Sequence, residues 1–175
     1  MSAPTSEQKS AGILVTSFVP WLAHQTSNSS DDLMAALCDR GEFPSDSLWL
    51  RHVPVCFESA PALVIAKLRE FQPRVIVCCG MAEARQRLSI EQQAASKGRI
   101  LQTAVNTQDL LTKTTQTEIS YDAGDYVCNH LYYQVLSAID KSKLDTVALF
   151  VHVPVLNERN IAEITDDFQK ILAAL

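Results

Sequence analysis

Short apolar runs of strand length alternate along this chain with stretches whose apolar residues recur at helical spacing, and that alternation restricts the fold more than any single motif. Gly12 to Phe18 (GILVTSF) reads as a buried first strand, and Asn28 to Asp32 offers N-cap candidates for a helix carrying Leu33, Met34, Leu37 and Cys38 on one side. Leu48 to Val55 reads as the second strand and about Ala60 to Glu70 as the second helix. After Pro73 comes Val75 to Gly80 (VIVCCG), a run without polar alternation, which suits a strand covered on both faces. Glu118 to Tyr121 is a shorter strand leading into a helix with the stripe Val127, Leu131, Val135, Ala138 and Ile139. Val147 to Val155 is the next strand, and a helix over Ile161, Ile164, Phe168, Ile171, Leu172 and Leu175 closes the chain. Strands interleaved with helices predict an α/β fold with a mostly parallel, twisted central sheet, and ligands at the carboxyl ends of its strands.

At 175 residues, 47% of them hydrophobic, the chain suits one domain over 11–175 behind a short polar lead at 1–10 expected to be disordered. That lead has no apolar core, so it reads as neither signal peptide nor anchor, and no later run approaches the roughly 20 apolar residues of a membrane span. A formal charge of -5 with 15 scattered Lys and Arg argues against nucleic acid as a partner. Five cysteines, two of them adjacent at Cys78 and Cys79, do not make a disulfide framework and point to a reducing compartment, here the cytoplasm.

Chemistry concentrates on a cysteine and a histidine. Cys128 stands at the start of its helix in the run DAGDYVCN, and His152 lies near the carboxyl end of the following strand. The thiolate is the nucleophilic form of cysteine, and a helix N-terminus or an adjacent imidazole lowers a thiol's pKa, so attack on a carbonyl is the predicted chemistry. A buried structural cysteine and a satisfied core histidine are the plain alternatives. Glu91 is a candidate to orient the imidazole. His24, His52 and His130 form no pair at metal-ligand spacing, Cys78 and Cys79 point to opposite faces of a strand, and neither a metal nor a cofactor is implied.

Strung along the chain, these segments resemble the pyroglutamyl peptidase I (pyrrolidone-carboxylate peptidase) family. LVTSFVPW at 14–21 is similar to that family's first strand and its Phe-x-Pro-Phe loop, and HVPVCF at 52–57 to its Leu-Pro-Val-x-Phe strand end. Arg85 and the segment Ser89-Ile90-Glu91 stand where the family has an arginine and its catalytic glutamate. AGDYVCN at 123–129 resembles the nucleophile motif, and FVHVP at 150–154 the histidine strand. The resemblance implies a three-layer α/β/α sandwich and a catalytic triad of Cys128, His152 and Glu91. It also implies a small peptide substrate with a blocked N-terminus, an apolar ring pocket lined by Phe18 and Trp21, and Arg85 assisting a backbone amide near Cys128 as oxyanion donor.

Departures from the family concern specificity. Leu22-Ala23 replaces a Gly-Gly pair, and Met81-Ala82-Glu83-Ala84-Arg85 stands for Gln-Ala-Gly-Gly-Arg. Met81 cannot supply an amide's donors and acceptors, so the resemblance implies weak cleavage of pyroglutamyl amides. The stretch between Glu91 and Cys128 is short for the family and lacks an excursion that shapes the cleft and subunit contacts in the relatives, which leaves a homo-oligomer open. A catalytically silent relative binding a small ligand or a protein partner in the same cleft is the second reading.

Overall fold

The computed structural model describes residues 11–175, and the expected lead at 1–10 lies outside the described residues. In chain order the elements are β1 (Ala11–Phe18), α1 (Ser29–Asp39), β2 (Leu48–Val53), α2 (Ser59–Phe71), β3 (Pro73–Met81), β4 (Leu88–Glu91), β5 (Gln93–Ser96), β6 (Arg99–Gln102), α3 (Thr107–Thr112), β7 (Thr117–Ser120), α4 (Val127–Ser142), β8 (Val147–Val153) and α5 (Ile161–Ala174). The strands read from the sequence are present with shifted ends. Three segments were not anticipated: β4, the β5–β6 hairpin and α3. Each is short, and none has a long apolar period of its own.

Six strands form the central sheet in the order β2-β1-β3-β8-β4-β7. β1, β2, β3 and β8 run parallel, whereas β4 pairs antiparallel with β8 and parallel with β7. A mostly parallel sheet needs cover on both faces, and the two hydrophobic clusters supply it. One joins Val15, Val77, Cys79 and Val151 to α1 and α5 through Leu33, Leu37, Ile164 and Phe168. The other joins Leu14, Cys78 and Phe150 to α2 and α4 through Val64, Leu68, Leu131 and Val135. Cys78 and Cys79 thus face opposite layers, as strand alternation requires.

Two local devices bring the strand ends into position. Asn28 caps α1 by accepting from Ser30 N at 3.0 Å and donates to Val19 O at 3.1 Å, while Ser30 Oγ accepts from Phe18 N at 3.1 Å. The helix start therefore holds the loop that leaves β1. At the far edge, buried Asp167 accepts from Thr115 N at 2.8 Å and Thr117 Oγ1 at 3.0 Å, which anchors β7 to α5. β7 in turn flanks β4, the strand that ends at Glu91. Among the described residues, no helix is long and apolar enough to cross a membrane.

Candidate active site

Register places the two acid–base groups side by side. On the face toward α4, β3 presents Cys78 and Gly80, β8 presents Phe150 and His152 opposite them, and β4 presents Ser89 opposite His152 and Glu91 opposite Phe150. His152 and Glu91 are thus diagonal neighbours on one face, a relation that long side chains can span. They do: Nδ1 of His152 lies 2.7 Å from Glu91 Oε1. A carboxylate only accepts, so Nδ1 carries the proton and Nε2 is the ring nitrogen left for chemistry. The Phe150 ring packs 4.8 Å from the imidazole and adds a second constraint on its plane.

Glu91 is fully buried. Its Oε1 also meets Arg85 Nη2 at 3.5 Å, and its Oε2 has no hydrogen-bond partner. An unpaired buried oxygen costs about 1–3 kcal/mol, a cost the His152 and Arg85 contacts must offset. Arg85 donates further to Ser89 Oγ at 3.2 Å, Ser120 Oγ at 3.2 Å and Asp122 O at 3.0 Å. Its guanidinium is engaged behind the carboxylate and is not among the pocket-lining groups. The expected help to an oxyanion is therefore replaced by a hold on Glu91.

Cys128 is the second residue of α4. With His152, Phe18, Trp21, Met81 and Tyr126 it lines a pocket of about 250 Å³ whose wall also includes Asn28, Val55 and Glu83. The expected catalytic and pocket residues are thus gathered at one end of the sheet, with Glu91 enclosed behind His152 and Arg85 behind Glu91. Met81 stands in the pocket wall, where its sulfur accepts from Ser29 Oγ at 3.2 Å and Ser29 N at 3.4 Å. His24 and His52 instead pair with Glu83 at 2.8 Å and with Asp31 at 3.4 Å, and His130 packs against Phe57.

The thiol itself corrects one expectation. Burial pushes Cys128 up to about 12, with neighbouring Cys78 and then Glu91 adding in the same direction. Desolvation is the largest cause and exceeds the lowering by the backbone hydrogen bond at Cys128, so burial favours the neutral thiol.

Sequence reasoning missed two residues. Tyr126, the residue that precedes α4, is half exposed and lines the pocket; its aromatic type two residues before Cys128 was the available signal. Gly80 allows the close approach of α4 to β3, since a Cβ there would lie 2.7 Å from Cys128 Sγ and 3.1 Å from Phe150 Cζ. Its signal was a glycine at the carboxyl end of an otherwise large-residue strand.

Fold and site together define a class: an α/β/α sandwich with a thiol at the start of α4, an imidazole near the end of β8 and a carboxylate on the antiparallel β4, an arrangement suited to acyl transfer. The pyroglutamyl peptidase family model matches residues 100–175, which include Cys128 and His152. Pyrrolidone-carboxylate peptidase 2 of Caldanaerobacter subterraneus subsp. tengcongensis is 28% identical over 170 residues, covering 82% of this chain and 81% of that one. The Bacillus licheniformis pyrrolidone-carboxylate peptidase is 24% identical over 175 residues, covering 85% and 80%. Among solved structures, pyroglutamyl peptidase I of Bacillus amyloliquefaciens superposes with a TM-score of 0.79 at 21% identity, covering 94% of this chain and 95% of that one. Pyrrolidone carboxyl peptidase of Thermococcus litoralis gives 0.77 at 17% identity, covering 93% and 92%. Together these comparisons show that the chain is similar in sequence and fold to pyroglutamyl peptidase I and the pyrrolidone-carboxylate peptidases.

Two outcomes follow from this geometry. Iodoacetamide labelling followed by peptide mapping should modify Cys56 first at neutral pH, because that thiol is exposed and lowered by hydrogen bonds from Ser59. Cys128 labelling should climb only as pH rises through about 9 to 12; rapid labelling at pH 7 would mean that imidazole or helix outweighs burial. Gly80→Ala should lose about 1–3 kcal/mol in urea unfolding through overpacking, whereas unchanged stability would show that α4 can retreat freely from β3.

Proposed function

We propose that this protein is a cysteine exopeptidase that removes an N-terminal pyroglutamyl residue, or a closely related cyclic blocked residue, from small peptides. One observation carries the reading: a buried imidazole–carboxylate pair at 2.7 Å whose histidine shares its pocket with Cys128. The names of the relatives supply the reaction class.

The proposed sequence begins with the cyclic residue in the pocket between Phe18, Trp21 and Tyr126. Nε2 of His152 takes the thiol proton as Cys128 Sγ adds to the scissile carbonyl carbon. Negative charge on the carbonyl oxygen is met by the backbone N–H of Cys128, one of the first-turn amides of α4 that have no intrahelical acceptor. Collapse breaks the carbon–nitrogen bond, and the imidazolium returns its proton to the leaving amine. Water, deprotonated by the same nitrogen, then cleaves the thioester and frees Cys128. Throughout, Glu91 keeps the imidazole in the tautomer with Nδ1 protonated, and Arg85 holds Glu91.

Because the resting thiol is neutral, the proton transfer has to coincide with attack. That same neutral thiol favours the second reading, a silent relative that binds a blocked peptide without cleaving it. Met81 supplies no amide to the lactam, so its recognition falls to backbone groups of the pocket and cleavage is expected to be weak. All five cysteines stand free, which supports a reducing, cytoplasmic setting.

Hydrolysis of a pyroglutamyl amide separates the two readings. Wild-type protein should release the amine, and Cys128→Ser should abolish release while circular dichroism shows an unchanged fold. Binding of the amide without any turnover by the wild type would establish the silent relative, and full activity in Cys128→Ser would remove that residue from the reaction.

A further inference from the structure

The segment 123–130 is a wall shared by two concavities. Ala123, Tyr126 and Cys128 face the pocket already described, whereas Gly124, Asp125, Asn129 and His130 line a second groove of about 330 Å³ with Phe57 and the tip of the β5–β6 hairpin at Lys97 and Gly98. The far side of this groove is fixed in place. Asn129, adjacent to the nucleophile, accepts from Ala95 N at 2.9 Å and donates to Ala95 O at 2.8 Å, so the hairpin is tied to α4 as if by one extra rung of sheet. Aromatic rings bridge the two concavities. Phe57 is 44% exposed, and its ring stands edge-on to Tyr126 at 5.4 Å and at a steep tilt to His130 at 5.3 Å.

We propose that this groove is the leaving-side subsite, which takes the residue that follows the scissile bond and prefers an aromatic or large apolar side chain there. The inference rests on the peptidase reading of the first pocket. If a cyclic acyl residue occupies that pocket and its carbonyl carbon meets Cys128, the departing amine and its side chain must leave across the wall that carries Cys128. The groove is what lies on the other side. Lys97 and Asp125 place one charge of each sign on its rim, so a charged side chain gains little net attraction, and the exposed face of Phe57 decides the preference. The feature belongs to the residues that close the groove in this chain: the hairpin at 93–102 that follows directly on Glu91, and Phe57 in the loop after β2.

The test compares kcat/KM for pyroglutamyl-phenylalanine amide and pyroglutamyl-alanine amide in wild type and Phe57→Ala. The wild type should favour the phenylalanine substrate by about three- to tenfold, the scale of one aromatic contact. Phe57→Ala should abolish that preference while leaving the alanine substrate unchanged. As a second measurement that needs no variant, free phenylalanine amide should inhibit wild-type cleavage of the alanine substrate more strongly than free alanine amide. Hydrolysis of both substrates without preference, a preference that survives Phe57→Ala, or an equal loss on both substrates would overturn the subsite and leave the peptidase reading intact. Hydrolysis of neither substrate would overturn the peptidase reading and the subsite with it.

Discussion

One hydrogen bond, between Nδ1 of His152 and Glu91 at 2.7 Å, makes demands on almost every other part of this structure. It requires a strand, β4, to run against the direction of its neighbour β8 so that Glu91 falls diagonally beside His152 on the same face. It requires that strand to be held from its outer side by β7, itself tied through Asp167 to α5. A buried carboxylate also needs compensation, which comes from His152 and Arg85, while the backbone carbonyl of Glu91 accepts from Tyr132 at 3.0 Å one turn beyond Cys128 on α4. The helix of Cys128 and the strand of Glu91 are therefore parts of one packed unit.

Packing around the thiol works against its ionisation. α4 sits so close to β3 that only a glycine at position 80 fits beneath Cys128, and burial pushes the thiol up to about 12. A preformed thiolate–imidazolium pair would gain from the charge interaction but would bear the desolvation of both ions in this site. A neutral thiol that shares its pocket with an imidazole of fixed tautomer avoids that cost until, in the proposed reaction, the substrate carbonyl arrives. The proposed reaction then depends on the base being correctly aimed, more than on a thiol that is acidic in advance.

The long apolar strands and the amphipathic helices were legible in the sequence because each buries a face with a clear period, and the cysteine at the start of its helix and the histidine near the end of β8 were legible as candidates for chemistry. β4 was not. Leu88 to Glu91 spans four residues, and all four are buried, including the serine and the glutamate, so no alternation marks it as a strand. Its direction depends on a tertiary pairing with β8 that local sequence does not encode. Glu91 was accordingly raised by its residue type and supported by family resemblance, and not by periodicity. The thiol's acidity was misjudged for a related reason: a helix N-terminus is visible in sequence, whereas the burial that desolvates Cys128, with Cys78 adding its own upward effect, is a property of packing alone. Arg85 was aimed at the wrong atom because its four acceptors come from β4, β7 and the loop after β7, segments that meet only in the fold.

The central claim is that Glu91 makes His152 an effective base by fixing its tautomer and its aim. Replacing Glu91 by Gln keeps the shape and removes the charge, and it lets the ring be held by the wrong nitrogen state. The direct measurement is kcat/KM for a pyroglutamyl amide in Glu91→Gln against wild type, with the fold checked by circular dichroism and thermal unfolding. The account predicts a folded protein whose rate falls by at least about 100-fold, in line with the loss of an orienting acid in other hydrolases. A folded Glu91→Gln variant with unchanged kcat/KM would contradict it.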